Sequence, residues 1–144
     1  MREVTEVAVG VLIDKEGRFL MASRPQGKPY AGWWEFPGGK LEAGEAVTEA
    51  LSREYAEELG VKVKKATPWF VFEREYPHAY VRLHFCRIVD WEGQPQPREG
   101  QTFQWFETLK QAQTEKLLPM CSLVIERLML SDRVALVKTP LSPT

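Results

Sequence analysis

The segment GKLEAGEAVTEALSREYAEELGV, residues 39–61, contains the strongest structural signal in the chain. Residues 46–59 within it have no internal proline or glycine, and apolar residues recur at helical spacing. Gly60 follows directly, and glycine commonly ends a helix because it adopts the left-handed conformation at no steric cost. The segment therefore predicts one helix over residues 46–59.

One stripe of this predicted helix changes from apolar to acidic along its length. Val47, Leu51, Glu54 and Glu58 follow one another at spacings of four, three and four residues, so they share a face. Glu57 lies three residues after Glu54 and adjoins the same stripe. Because the stripe begins with core residues, we expect the three carboxylates to face a partly enclosed cleft.

Two interpretations of these acids are open. The first is a solvated charged face, although like charges three or four residues apart cost about 0.2–0.5 kcal/mol per pair and acids near a helix C-terminus oppose its dipole. The second is a cation site, since the single Arg53 cannot neutralise the cluster. Oxygen ligands without nearby His or Cys favour Mg²⁺ or Mn²⁺ over zinc, and we favour this second interpretation.

A magnesium site of this kind indicates phosphoryl chemistry. Magnesium bound by a few carboxylates keeps several waters and commonly binds substrate phosphates. It can neutralise charge, orient a substrate and activate a water. The acidic helix therefore predicts a reaction on a phosphate ester or anhydride.

The composition is that of one ordinary globular domain. The chain has 144 residues, 44% of them hydrophobic and 27% charged, with a net charge of −1. That balance argues against a nucleic-acid-binding protein, which usually has a basic excess. There is no apolar run of membrane-spanning length and no secretory signal pattern. Cys86 and Cys121 have no CxxC spacing, which is typical of a reducing compartment, so we expect a cytoplasmic protein that binds neither nucleic acid nor membrane. The sequence does not indicate the oligomeric state.

Strands and helices alternate along the chain without a strict βαβ rhythm, which predicts an α+β domain with a mixed sheet and helices packed on it. We expect a strand over residues 4–13, a turn, a hairpin partner over 18–23, a loop over 24–32 and a short broken strand within 33–41. After the acidic helix we expect strands over 66–76, 79–90 and 103–106, a loop over 92–100 and a helix over 117–130. The domain is predicted to occupy residues 1–131, with a loosely ordered tail over 132–144.

The acidic segment resembles the motif of the Nudix hydrolase family. That motif has a glycine, a glutamate, an Arg-Glu pair, a Glu-Glu pair and a final glycine followed by an aliphatic residue at fixed spacing. The matching residues are Gly39, Glu45, Arg53, Glu54, Glu57, Glu58, Gly60 and Val61. One position departs from the pattern, because Tyr55 replaces an aliphatic residue; we interpret it as a buried packing variant.

The resemblance extends over about residues 4–130, through VAVGVL, SRP, WEFPGGK and WEGQPQPREGQTFQW. These stretches are similar to the MutT-like (8-oxo-dGTP diphosphatase) type within the family. The resemblance implies the Nudix fold, with a mixed sheet between helices. It also implies Mg²⁺-dependent hydrolysis of a nucleoside triphosphate to the monophosphate and pyrophosphate, with a small nucleotide as the substrate.

The resemblance also implies roles for individual residues. The metal ligands would be the Gly38 carbonyl with Glu54, Glu57, Glu58 and Glu99. Glu99 would otherwise be interpreted as a surface charge on a loop. Glu45 would be a supporting carboxylate, and Arg53 would orient the glutamates. Either Glu54 or Glu99 would be the general base, and the sequence does not distinguish them.

For substrate binding, the resemblance assigns Arg24 to a phosphate and Phe36 and Tyr76 to the walls of the base pocket. Their alternatives are a surface arginine and two core aromatics. The family's base-reading asparagine aligns with Cys121, or with Met120 if the gap is moved. Neither residue offers the paired donor and acceptor of an amide, so selectivity for 8-oxo-guanine is not implied.

Three functions therefore remain in comparison. The first is a MutT-type diphosphatase, and the second is a related pyrophosphatase for oxidised pyrimidine triphosphates, CTP-like nucleotides or ADP-ribose. The third is a non-catalytic module that senses a nucleotide. The complete set of glutamates favours an enzyme.

Overall fold

A computed structural model describes residues 3–113 and 115–138 of the chain. Its elements in chain order are β1 (Val4–Leu12), β2 (Phe19–Ser23), β3 (Trp34–Glu35), β4 (Gly38–Lys40), α1 (Val47–Leu59), β5 (Lys62–Tyr76), β6 (Ala79–Glu92), β7 (Thr102–Phe106), α2 (Leu109–Ala112) and α3 (Cys121–Lys138). The mixture of sheets and helices confirms the predicted α+β class.

The strands form two sheets. One has the order β4-β1-β6-β5, with β1 parallel to β6 and the other pairs antiparallel. The other has the order β3-β2-β7 and is antiparallel. Strand β1 is a central strand, as its β-branched and nearly continuous apolar sequence predicts.

The two longer helices pack on two separate hydrophobic clusters. The α1 cluster includes Leu51, Tyr55 and Leu59 and reaches Ala8 on β1 and Ile88 on β6. The α3 cluster contains Val124, Ile125 and Leu128 together with aromatic residues of the strands. The sheets therefore lie between helices, in the layered arrangement that the sequence predicts.

The acidic helix forms where it is predicted. Ala46 is its N-cap residue, and the Glu49 carboxylate accepts the Ala46 backbone N–H at 2.8 Å. Gly60 has a φ of 70°, and its N–H donates to the Ala56 carbonyl. A left-handed glycine therefore ends α1 next to its last acidic residues.

The predicted hairpin between β1 and β2 is wrong. Only an isolated bridge joins Ile13 to Phe19, and β2 pairs with β3 and β7 instead. The reason is that β3 and β7 occupy both edges of β2 and leave none for β1. In the turn, Asp14 Oδ1 accepts the Arg18 backbone N–H at 2.8 Å and Oδ2 accepts Arg18 Nε at 2.6 Å. These bonds shape a turn after which the chain enters the second sheet.

The last helix begins at Cys121, four residues later than the predicted residue 117. Leu117 forms a bridge with Trp34, and the Leu118 N–H donates to the Trp34 carbonyl at 2.9 Å. The chain then turns at Pro119 and at Met120, whose φ is 83°. The helix continues to Lys138, past the domain boundary expected at residue 131, and residues 139–144 of the predicted tail lie outside the described residues.

None of the helices within the described residues has the length and apolarity needed to span a membrane.

Candidate active site

A cavity of about 420 Å³ opens between β4, the C-terminal end of α1 and the start of α3. One part of its wall is charged and includes Arg24, Lys28, Glu58 and Glu99. The rest is largely apolar. That apolar wall includes Val9, Phe36, Leu83, Phe85, Pro119, Met120 and Cys121. A charged part next to an apolar part suits a ligand with a polyphosphate and a flat ring.

Glu58 is the carboxylate of α1 that lines this cavity. Its Oε2 atom is buried and has no hydrogen-bond partner. Burial, a hydrogen bond with Glu54, and the charges of Glu54, Glu99 and Glu35 raise the pKa of Glu58 to about 9. The protein therefore holds a desolvated acid in its cavity, next to other acids.

Glu54 and Glu57 lie outside the cavity wall. Arg53 Nη1 donates to Glu54 Oε1 at 2.8 Å, and the same nitrogen lies 3.6 Å from Glu57 Oε2. The Glu57 side chain is 58% exposed, whereas that of Glu54 is 17% exposed. Of the three acids, only Glu58 lines the cavity, because α1 turns Glu57 toward solvent and Glu54 packs against Gly39 and pairs with Arg53.

Arg53 binds more acids than its sequence position indicates. Its Nε and Nη2 atoms bond both oxygens of Glu45, at 2.8 and 2.9 Å, and Nε lies 3.3 Å from Glu42 Oε1. Its Nη2 also donates to the Lys40 carbonyl at 3.1 Å. This fork lowers the pKa of Glu45 to about 2, first through the hydrogen bonds from Arg53. Arg53 thus fixes α1 to the loop after β4.

The two glycines of β4 let the backbone approach the acids closely. A Cβ placed on Gly39 would lie 2.5 Å from Glu54 Oε1, and one on Gly38 would collide with the Ala8 carbonyl oxygen. Any other residue would push Glu54 or β1 away. The glycines therefore hold β4 against both β1 and the carboxylate of Glu54.

The oxygen atoms of these residues are suitable ligands for a hard divalent cation, but the acids do not lie close enough together to bind one. Within residues 3–113 and 115–138, no three acidic, His or Cys side chains stand in an arrangement that could hold a metal ion. Arg53 engages Glu54, and Glu57 lies partly in solvent. The unpartnered oxygen of Glu58, in a cavity that Gly38 and Glu99 also line, is of the type that Mg²⁺ or Mn²⁺ prefers.

Three of the four residues assigned to substrate binding line the cavity, and the fourth does not. Arg24, Phe36 and Cys121 line the cavity, and Phe36 also belongs to the core. Tyr76 does not line it; it lies at the β5–β6 turn, where its ring is 5.8 Å from that of His78 and 5.0 Å from the Arg74 guanidinium. The register of the long hairpin carries Tyr76 away from the cavity.

Cys121 and Arg24 are both held by their neighbours. The Cys121 thiol donates to the Trp34 carbonyl at 3.7 Å, and burial raises its pKa to about 12, so it remains a neutral thiol. Arg24 Nη1 donates to both oxygens of Glu35 at 3.1 and 3.2 Å, and its Nε donates to the Pro29 carbonyl at 2.6 Å. The guanidinium is therefore fixed in the charged wall of the cavity.

Sequence reasoning missed two residues that shape the site, Glu35 and Gln101, and it missed the hydrogen bonds of Tyr55, whose burial it predicts correctly. Glu35 lies in the cavity wall and pairs with Arg24. Gln101 lies in the same wall, and its side chain is a hydrogen-bond acceptor. Tyr55 is fully buried, and its hydroxyl donates to the Gly10 carbonyl at 2.7 Å, with the Pro37 carbonyl 3.2 Å away. The only signal for Tyr55 was a polar aromatic residue at an aliphatic position.

Comparison with known proteins identifies the family. The NUDIX domain model matches residues 4–121, and the chain belongs to this family. The chain is 36% identical to an 8-oxo-dGTP diphosphatase of Haemophilus influenzae over 74% of this chain and 78% of that protein. It is also 36% identical to the CTP pyrophosphohydrolase of Escherichia coli, over 67% of this chain and 72% of that protein.

Solved structures agree with this assignment. One of the MutT structures determined for Aliivibrio salmonicida and Vibrio cholerae superimposes with a TM-score of 0.77 at 26% identity, covering 90% of this chain and 99% of that one. The solution structure of the Escherichia coli ORF135 protein gives a TM-score of 0.77 at 30% identity, covering 93% and 94%. The predicted Nudix fold is therefore confirmed.

Proposed function

We propose that this protein is a Mg²⁺-dependent nucleoside triphosphate pyrophosphohydrolase of the MutT type. It hydrolyses oxidised deoxynucleoside triphosphates such as 8-oxo-dGTP to the monophosphate and pyrophosphate. The observation that carries the proposal is the buried, unpartnered Glu58 oxygen in the wall of a cavity that both charged and apolar residues line. Relatives that are named 8-oxo-dGTP diphosphatase support the choice of substrate.

The metal would be held by the Gly38 carbonyl and by Glu54, Glu57, Glu58 and Glu99, with Mn²⁺ as the alternative to Mg²⁺. When bound, such an ion neutralises polyphosphate charge and lowers the pKa of a bound water. Arg53 engages Glu54, whose side chain is largely buried, and Glu57, whose side chain is exposed, while Glu58 and Glu99 lie in the cavity wall. Arg53 orients the first two acids and Glu45 holds Arg53 in place.

The cationic side chains of the cavity wall bind the substrate's phosphates. Arg24 and Lys28 lie in that wall, and Glu35 holds the Arg24 guanidinium there with two hydrogen bonds. A guanidinium already fixed in position loses little entropy when it binds a phosphate. The nucleobase then occupies the apolar part of the cavity, beside Phe36 and Cys121.

Glu99 is the better candidate for the general base. It lines the cavity, whereas Glu54 does not line it and already accepts a 2.8 Å hydrogen bond from Arg53 Nη1 at its Oε1 atom. A base must lie within hydrogen-bond reach of the water that it deprotonates. We assign the proton transfer to Glu99 and keep Glu54 as the alternative.

A CTP-like substrate is the second candidate. The Cys121 thiol donates to a backbone carbonyl and cannot act as a paired donor and acceptor for a purine edge. A pocket that selects by shape discriminates less than one that selects by hydrogen bonds. The similarity to a CTP pyrophosphohydrolase supports this candidate.

A panel of nucleotides tests the proposal. With excess Mg²⁺, kcat/KM is measured for 8-oxo-dGTP, dGTP, CTP, an oxidised pyrimidine triphosphate and ADP-ribose, with pyrophosphate detected directly. We expect pyrophosphate from 8-oxo-dGTP and its loss in Glu57→Gln, with Glu16→Gln as the matched control on an exposed turn. Preference for CTP or ADP-ribose would move the assignment to that substrate, and tight binding of every nucleotide without turnover would favour a sensing module.

A further inference from the structure

The segment that carries Glu99 contacts the C-terminal end of α1. We define the Glu99 loop as residues 93–101, which join β6 to β7. The Gln96 N–H donates to the Leu59 carbonyl at 2.9 Å, and the Arg98 N–H donates to the Glu58 carbonyl at 3.3 Å. The loop thus satisfies carbonyls that the end of a helix leaves without partners.

A side chain of the same loop closes over the end of the helix. A Cβ placed on Gly60 would lie 2.7 Å from Arg98 Nη2, so the guanidinium occupies the space that glycine leaves open. A cation at a helix C-terminus interacts favourably with the helix dipole. The first part of the Glu99 loop is therefore fixed to the helix that carries Glu58.

The second part of the loop is fixed from inside the cavity wall. Gln101 is only 8% exposed. If aromatic and cysteine residues are set aside, it is the one buried polar or charged residue in the part of the chain that the structure describes. Its Oε1 atom accepts the backbone N–H of Glu99 at 2.8 Å. Gly100, between them, has a φ of +79°, which lets the Gln101 side chain turn back to the residue two positions earlier.

We propose that Gln101 is a positioning residue that fixes the backbone of Glu99 and so directs the Glu99 carboxylate into the cavity. Both residues line the cavity wall, and the hydrogen bond from the Glu99 backbone N–H to Gln101 Oε1 is short and partly buried. This inference rests on the proposed function for the catalytic role of Glu99, but the contact itself belongs to the protein without substrate or metal.

The contact is tested first in the metal-free protein. Hydrogen exchange of the Glu99 amide is measured by NMR in EDTA for the wild type and for Gln101→Leu, which keeps the size of the side chain and removes the acceptor. We expect about tenfold faster exchange in the variant, from the loss of one hydrogen bond. Gln101→Glu keeps an acceptor oxygen at the same reach and restores slow exchange. Gln104→Leu, on an exposed position of β7, is the control and leaves exchange unchanged.

The positioning role is tested by kinetics. We expect Gln101→Leu to lower kcat about 10- to 100-fold, the usual effect of losing a residue that orients a ligand, with KM for the nucleotide nearly unchanged. Because Gln101 acts through Glu99, the same substitution in a Glu99→Gln background should add little further loss. A melting temperature close to that of the wild type separates this effect from a general loss of structure.

Two results would overturn the inference. One is a Glu99 amide that exchanges equally fast in the wild type and in Gln101→Leu. The other is full additivity of the two substitutions in kcat, which would show that Gln101 acts independently of Glu99. If the wild type hydrolyses none of the nucleotides, the proposed function fails, and the exchange experiment still decides whether Gln101 holds Glu99.

Discussion

Glu54 and Glu58 lie one turn apart on the same stripe of α1, yet their surroundings differ sharply. Glu54 accepts a hydrogen bond from Arg53, which also binds Glu45, so this acid has a partner in the protein alone. Glu58 has a buried oxygen with no partner and a raised pKa. The two acids share a hydrogen bond, but the protein pairs Glu54 with a cation, whereas it leaves one buried oxygen of Glu58 without any partner.

The largest effect is expected from removing the unpartnered acid. Glu58→Gln keeps the shape of the side chain and removes its charge, so kcat should fall about 10²- to 10³-fold, the range found when one preorganised electrostatic group is lost. Steady-state kinetics at saturating Mg²⁺ measures it. Activity within threefold of the wild type would remove Glu58 from the site and end the contrast with Glu54.

The next largest effect is expected from changing Arg53, the partner of Glu54. Arg53→Lys keeps the charge but loses the fork that bonds both oxygens of Glu45, because lysine has a single nitrogen. We expect kcat/KM to fall about 10- to 100-fold, as for other residues that orient ligands. The kinetics of Lys110→Arg, on α2, provide the control. An unchanged kcat/KM would mean that Glu54 and Glu57 need no orienting arginine.

Tyr55, which lies between Glu54 and Glu58 on α1, supports the site from the core. Its hydroxyl bonds the Gly10 carbonyl and lies near the Pro37 carbonyl, just before Gly38. Tyr55→Phe should lower the free energy of unfolding by about 1–2 kcal/mol, because the Gly10 carbonyl oxygen loses the hydrogen bond from the Tyr55 hydroxyl. Urea denaturation measures the change. A variant as stable as the wild type would show that the hydroxyl bond contributes nothing net.

The smallest effect is a pH dependence of the metal-free protein. The pKa of Glu58 is about 9 in the folded state and 4.5 as its ordinary value. Between those values the folded chain keeps a proton that the unfolded chain has lost, so stability falls as the pH rises. In EDTA, Glu58→Gln should remove at least about 1 kcal/mol of this decline between pH 5.5 and 8.5. Parallel curves for the two proteins would contradict the raised pKa.

The sequence predicts most of the fold and part of the site, for physical reasons that particular residues make clear. Helix α1 is predictable because its periodicity and Gly60 are local signals. The pairing of β2 is not, because its partners β3 and β7 come later in the chain and no local signal in β2 names them. Similarly, spacing places Glu54 and Glu58 on one stripe, but the pairing of only one of them with Arg53 is a property of the packed structure. The role of Gln101 depends on the backbone of Gly100, which no spacing reveals.

Binding of a divalent cation tests the central claim most directly. Mn²⁺ is titrated into the substrate-free protein, and free Mn²⁺ is followed by electron paramagnetic resonance for the wild type, Glu58→Gln and the control Glu16→Gln. We predict saturable binding to the wild type and the control, and affinity weakened at least about tenfold in Glu58→Gln. Equal affinity in all three proteins, or no saturable binding to the wild type, would contradict the claim that the unpartnered acid serves a metal ion.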